Sequence, residues 1–114
     1  MLDQHPPLRL QLRNSQTFDK SWTFDLRDKA VIYLGRQDTD DGLIVNLTPF
    51  GALECGVSRL HALISREEDG YYVMDLESLN ETLLNGARLY PGQNYRLHHG
   101  DQLHLGRLEL LVLL

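Results

Sequence analysis

The chain has one cysteine, Cys55, so it builds no internal disulfide framework and suits a reducing compartment. Long apolar runs are missing too. The longest, Leu108 to Leu114, is interrupted by Glu109 and falls far short of the about 18 residues of a membrane-crossing helix, so no membrane insertion is expected. Asp3, His5, Pro6 and Pro7 break up the start of the chain, which therefore does not read as a signal peptide and predicts a cytoplasmic setting. Positive charge is scarce: 11 Lys and Arg against 16 Asp and Glu give a net charge of −5, which argues against a nucleic-acid partner. That balance still allows capture of a single phosphate, which needs only a few local cations. Helical periodicity, internal repeats and low-complexity linkers are absent as well.

What remains is period-2 alternation. Leu8, Leu10 and Leu12 alternate with Arg9, Gln11 and Arg13, and Trp22, Phe24 and Leu26 alternate with Thr23, Asp25 and Arg27. Residues 30–34 form a short apolar strand ending at Gly35. Further strands are expected over 43–46, 61–65, 71–76, 82–84, 95–97, 102–105 and 108–113. Turn signals separate them, among them Asp69-Gly70, Asn85-Gly86, Pro91-Gly92 and Gly100-Asp101. The pattern predicts an all-β, antiparallel β-sandwich of about eleven short strands. The length allows one domain, over 8–114, after a loose lead-in over 1–7.

Two longer connections interrupt this rhythm, over 37–42 (acidic, with Asp38, Asp40 and Asp41) and over 46–59. Extended loops on a small β scaffold are common seats of function. Three of the connections carry groups suited to one anion. A phosphate monoester brings roughly −1.5 to −2 units of charge and several acceptor oxygens, and so calls for cations and donors together. Arg36 follows a strand end, Ser58 and Arg59 close the second long loop, and Asn80 offers an amide from a third.

The segments that carry these groups are Gly35-Arg36, Gly56-Val57-Ser58-Arg59-Leu60-His61 and Asp75 through Gly86, running on to residues 100–106. In order and spacing they resemble the recognition loops of the forkhead-associated (FHA) domain, a phosphothreonine-binding module. The resemblance implies that Arg36 and Ser58 bind phosphate, that Arg59 assists, and that Asn80 holds the peptide backbone. Thr82, in the same loop, is expected in the phosphopeptide site. Gly35, His61, Asn85 and Gly86 are expected to support the site's shape. The implied partner is a threonine-phosphorylated protein or peptide, the product of a Ser/Thr kinase, and the implied setting is a larger signalling or assembly protein. No cofactor, metal or catalytic step is implied. Two departures stand out. Glu81 occupies a position where the family usually has glycine, and Leu79 one where it often has a hydroxyl that donates to the phosphate.

Other readings fit less well. Ser58, His61 and Asp75 are the residue types of a hydrolase triad, but no nucleophile-elbow pattern surrounds the serine. His98, His99, Asp101 and His104 match no zinc spacing, and 38–41 lack the glycine and glutamate of a calcium loop. The competing function is an FHA-like scaffold that binds protein surfaces, or itself, without phosphate. Leu79 and Glu81 favour it, whereas Arg36, Ser58 and Arg59 favour phosphate. The Thr48-Pro49 pair is a candidate self-ligand if phosphorylated.

Overall fold

The computed structural model describes residues 6–13, 20–27, 29–37 and 44–114. Asp28, Asp38, Asp40, Asp41, Leu43 and the first part of the lead-in lie outside the described residues. Eleven strands follow in order: β1 (Leu8–Leu12), β2 (Ser21–Phe24), β3 (Val31–Gly35), β4 (Ile44–Asn46), β5 (Leu60–Glu67), β6 (Gly70–Asp75), β7 (Thr82–Leu84), β8 (Ala87–Arg88), β9 (Tyr95–Arg96), β10 (Gln102–Leu105) and β11 (Leu108–Leu113). A short 3₁₀ turn, Thr48–Phe50, sits between β4 and β5.

The strands form two sheets, in the orders β2-β1-β11-β10-β7-β8 and β4-β3-β5-β6-β9. Alternation decides which side chains fill the space between them. Leu8, Leu10 and Leu12 of β1, with Leu108, Leu110 and Val112 of β11, meet Ile32 and Leu34 of β3, Ile64 of β5 and Val73 of β6 in one core. Each such buried aliphatic contributes about 1.5–3 kcal/mol relative to exposure, so the inward row of every strand is energetically fixed. Trp22 and Phe24 extend this core at its edge, where Trp22 meets Phe50 edge-on at 5.5 Å between ring centroids. At the other margin the Tyr71 hydroxyl donates to the Pro6 carbonyl at 2.8 Å, tying the lead-in to β6.

The antiparallel expectation needs one correction. β3 and β4 pair in parallel, with Tyr33 opposite Ile44 and Gly35 opposite Asn46. A parallel pair cannot be joined by a two-residue hairpin, and residues 36–43 separate the two strands. The sequence reading also lacked β8, a two-residue strand paired only with β7.

One irregularity positions the functional pole. In the β3–β5 ladder Leu34 faces Ala62 but Gly35 faces Leu60, so β5 carries an extra residue, His61. The bulge turns His61 into the interior, where it is completely buried, although neighbouring Ala62 is buried as well.

Candidate functional site

The ends of β3, β5, β6 and β7 and the β10–β11 turn come together at one pole. Gly35 is the hinge of this arrangement. A Cβ there would lie 1.9 Å from the Arg59 carbonyl oxygen, so only glycine permits the crossing of the two backbones. Across it, the Arg36 amide donates to the Arg59 carbonyl at 2.9 Å, and the Leu47 amide donates to the Gly35 carbonyl at 2.8 Å. The half-buried Arg36 side chain donates from Nε to the Val57 carbonyl at 2.5 Å, which anchors the guanidinium one residue from Ser58. The Arg36 carbonyl in turn accepts from the Thr48 hydroxyl at 3.2 Å. Arg59 itself is exposed.

Ser58 is fixed from both sides. Its amide donates to Nδ1 of His61 at 3.0 Å, and its Oγ accepts the Leu79 amide at 3.2 Å. The latter bond occupies a lone pair and leaves the hydroxyl proton able to donate to an incoming anion. Because Nδ1 of His61 accepts, the ring proton sits on Nε2, which donates to the Glu81 carbonyl at 2.9 Å. Burial pushes the His61 pKa below its ordinary value, against the opposing pull of the Glu81 carbonyl and the Asp75 charge. A neutral imidazole thus splices the loop carrying Ser58 to the loop carrying Asn80.

Asn80 makes a second splice, donating from Nδ2 to the Gly56 carbonyl at 3.0 Å. Gly106 closes the pole from the other sheet. Its amide donates to the Glu81 carbonyl at 3.1 Å, and the Arg107 amide donates to the Cys55 carbonyl at 2.8 Å. The Arg107 guanidinium also contacts the Glu54 carbonyl. Glu81 adopts φ 70°, a left-handed conformation that costs a side-chain-bearing residue free energy. Its carboxylate is exposed and lies 3.8 Å from Arg88.

Three expected residues are placed differently. Thr82 is fully buried and donates its hydroxyl to Asp75 Oδ1 at 2.6 Å, so it braces the loop from inside and cannot touch a peptide. Asn85 and Gly86 close the β7–β8 hairpin at the end of β7 away from Thr82. Asn85 there donates to Asp101 at 3.0 Å and accepts the Gln102 amide at 2.9 Å, and so shapes the opposite pole. The residue missed as a site organiser is Asp75. Its buried carboxylate accepts the Ser78 amide at 3.1 Å, the Ser78 hydroxyl at 2.5 Å and Thr82, and so dictates the 75–82 loop. An aspartate at a strand end followed three residues later by serine is the available signal.

The triad types do not form a relay. His61 meets the amide of Ser58 rather than its hydroxyl, and Asp75 is committed to Ser78 and Thr82. Near the end of the chain, His99 Nδ1 accepts the Leu114 amide and His104 Nε2 faces Glu109 at 3.2 Å. The pole therefore offers two guanidinium groups, a serine hydroxyl and an amide on a braced backbone, a set suited to holding an anionic group.

Comparison with known proteins agrees with this architecture. The sequence model of the FHA domain matches residues 32–106. Protein FraH of Nostoc sp. is 35% identical over 85 residues, which cover 75% of this chain and 29% of FraH. A solved FHA domain studied for phosphothreonine-dependent interactions superposes with a TM-score of 0.70 at 28% identity, covering 96% of this chain and 97% of that one. The FHA domain of an Arabidopsis thaliana hypothetical protein gives 0.76 at 26% identity, covering 96% and 86%. The chain thus spans under a third of the length of FraH and nearly all of the first solved domain.

Proposed function

The chain belongs to the FHA-domain family, and on that premise we propose that its loop pole binds a phosphothreonine segment of a partner protein, without a catalytic step. The observation that carries this reading is the anchoring of Arg36 on the Val57 carbonyl, beside a Ser58 whose hydroxyl proton remains free to donate. In this reading the Arg36 fork and the Ser58 hydroxyl meet the phosphate oxygens, and Arg59 adds a second cation from the solvent side. Asn80, already stapled to Gly56, holds the ligand backbone through its remaining amide groups. Gly35 and His61 act through the geometry they impose. The family relationship, together with a 28%-identical domain known for phosphothreonine-dependent interactions, supports the same assignment.

The energetics are adequate. Micromolar affinity corresponds to about −8 kcal/mol, and a few charge-assisted bonds made by prepositioned groups reach that value after ordering costs. The domain would then read the output of a threonine kinase, within a longer protein of which this domain is one part.

Titration with matched peptides carrying phosphothreonine, phosphoserine or unmodified threonine tests the reading. Selective binding of the first, weakened about 30-fold or more by Arg36→Ala, is expected. Equal affinity for all three would replace it with a phosphate-independent scaffold.

A further inference from the structure

Three leucines at the Arg36 pole are exposed, whereas the remaining leucines among the described residues are buried or half-buried. Among the described residues the large exposed hydrophobics are Leu53 (62% exposed), Leu60 (40%), Leu79 (86%) and Tyr90 (65%). Three of the four lie in segments that form the pole: Leu53 in the loop leading to Ser58, Leu60 directly after Arg59, and Leu79 between Ser78 and Asn80. A lone exposed leucine means little, but several gathered around one site point to something that covers them.

We propose that Leu79 is a specificity-determining residue, selecting phosphothreonine ligands that carry a large apolar side chain within two residues of the phosphothreonine. This rests on the phosphothreonine reading above. Leu79 is not a side chain on a loose loop. Its amide is bonded to Ser58 Oγ, the Ser78 amide and hydroxyl are held by Asp75, and Asn80 is stapled to Gly56. The apolar surface is therefore presented at a fixed distance from the phosphate-binding hydroxyl. Little ordering entropy is lost when a ligand covers it. A residue rise of about 3.3 Å in an extended peptide brings a neighbour of the phosphothreonine within reach of this side chain. The same position commonly holds a phosphate donor in the family, so this chain trades a polar contact with the phosphate for an apolar contact beside it. Glu81 follows two residues later in the same loop with an exposed carboxylate, which disfavours an acidic flank.

The experiment uses fluorescence anisotropy with phosphothreonine peptides in which each position from −3 to +3 is in turn Leu, Ala, Glu or Lys. Unmodified threonine versions serve as controls. For the wild-type protein, Leu at one or two positions adjoining the phosphothreonine is expected to bind on the order of tenfold tighter than Ala, and Glu weaker than Ala. In Leu79→Ala, which changes an exposed side chain, the Leu-to-Ala ratio is expected to fall to about two or less. Phosphate-dependent binding indifferent to the flanks overturns the proposal and leaves the phosphothreonine reading standing, as does a ratio unchanged in Leu79→Ala. Equal binding of phosphorylated and unmodified peptides overturns both.

Discussion

The two poles of the sandwich are built with the same device and put it to different use. At one, Asp75 gathers Ser78 and Thr82, His61 joins Ser58 to Glu81, and Asn80 reaches Gly56. At the other, Asp101 accepts the His98 amide at 2.7 Å and the Asn85 amide group at 3.0 Å, while Asn85 accepts the Gln102 amide. In both, a short polar side chain replaces backbone pairing that irregular loops cannot supply. The difference lies in what is left over. The Asn85–Asp101 pole spends its polar groups on itself. The Arg36 pole spends amides, carboxylates and an imidazole on bracing, and leaves guanidinium groups, a hydroxyl proton and a leucine facing outward. Function on such a scaffold is the residue of chemistry that the brace does not consume.

Breaking the cationic side of the comparison should have the largest effect. Arg36→Ala is expected to weaken phosphopeptide binding by about 2–5 kcal/mol, some 30-fold or more, in calorimetric titration, because a charge partner is removed and the phosphate is left under-paired. Arg36→Lys keeps the charge and loses the fork, and should fall between.

Removing the staples separates the poles. Asp75→Ala strands the Ser78 and Thr82 hydroxyls and is expected to cost about 2–4 kcal/mol in urea unfolding, together with loss of phosphopeptide affinity. Asp101→Ala should lower stability as well, yet leave phosphopeptide affinity within twofold. A comparable loss of affinity in both variants would erase the distinction between the poles.

Acid should loosen the Arg36 pole through His61. Its folded-state pKa is lowered, so between the unfolded value of about 6.5 and that lowered value the unfolded chain binds more protons than the folded one. The stabilisation is complete above about pH 6.5 and is lost as pH falls below it. Protonation also removes the acceptor for the Ser58 amide. A lower urea midpoint for the free protein at pH 5.5 than at pH 7.5 is expected, with the His61 pKa followed by NMR; a His61 pKa above 6.5 would contradict the account.

The smallest effect is expected from Glu81→Gly. Glycine adopts φ 70° freely, so the substitution should stabilise by about 1 kcal/mol, less a few tenths for the exposed contact with Arg88. Removing the carboxylate should also tighten phosphopeptide binding a fewfold.

Strand positions were legible because burial has a period of two, and Leu8, Leu10 and Leu12 or Leu108, Leu110 and Val112 advertise it without ambiguity. The Ala87–Arg88 strand is not legible, since both residues are exposed and leave no buried position to alternate against. Parallel β3–β4 pairing was invisible for a related reason, because alternation records which face a residue takes and not the direction of its neighbour. Arg36, Ser58, Arg59 and Asn80 stand out through motif order, and the structure places them at one pole. Thr82 was misassigned because a polar residue in a polar loop gives no hint of which way it turns. Only the Asp75 carboxylate beneath explains its burial. Asn85-Gly86 was correctly read as a turn, yet the end of the sandwich at which it lies depends on β7 pairing with β10.

The most direct test of the central claim is an ¹H–¹⁵N correlation spectrum recorded while a phosphothreonine peptide is added. The account predicts large shifts for the amides of Arg36, Ser58, Arg59, Leu79 and Asn80, none beyond noise for Asn85, Asp101 and Gln102, and no response to the unphosphorylated peptide. Shifts centred on the Asn85–Asp101 pole, or equal shifts with and without phosphate, would contradict it.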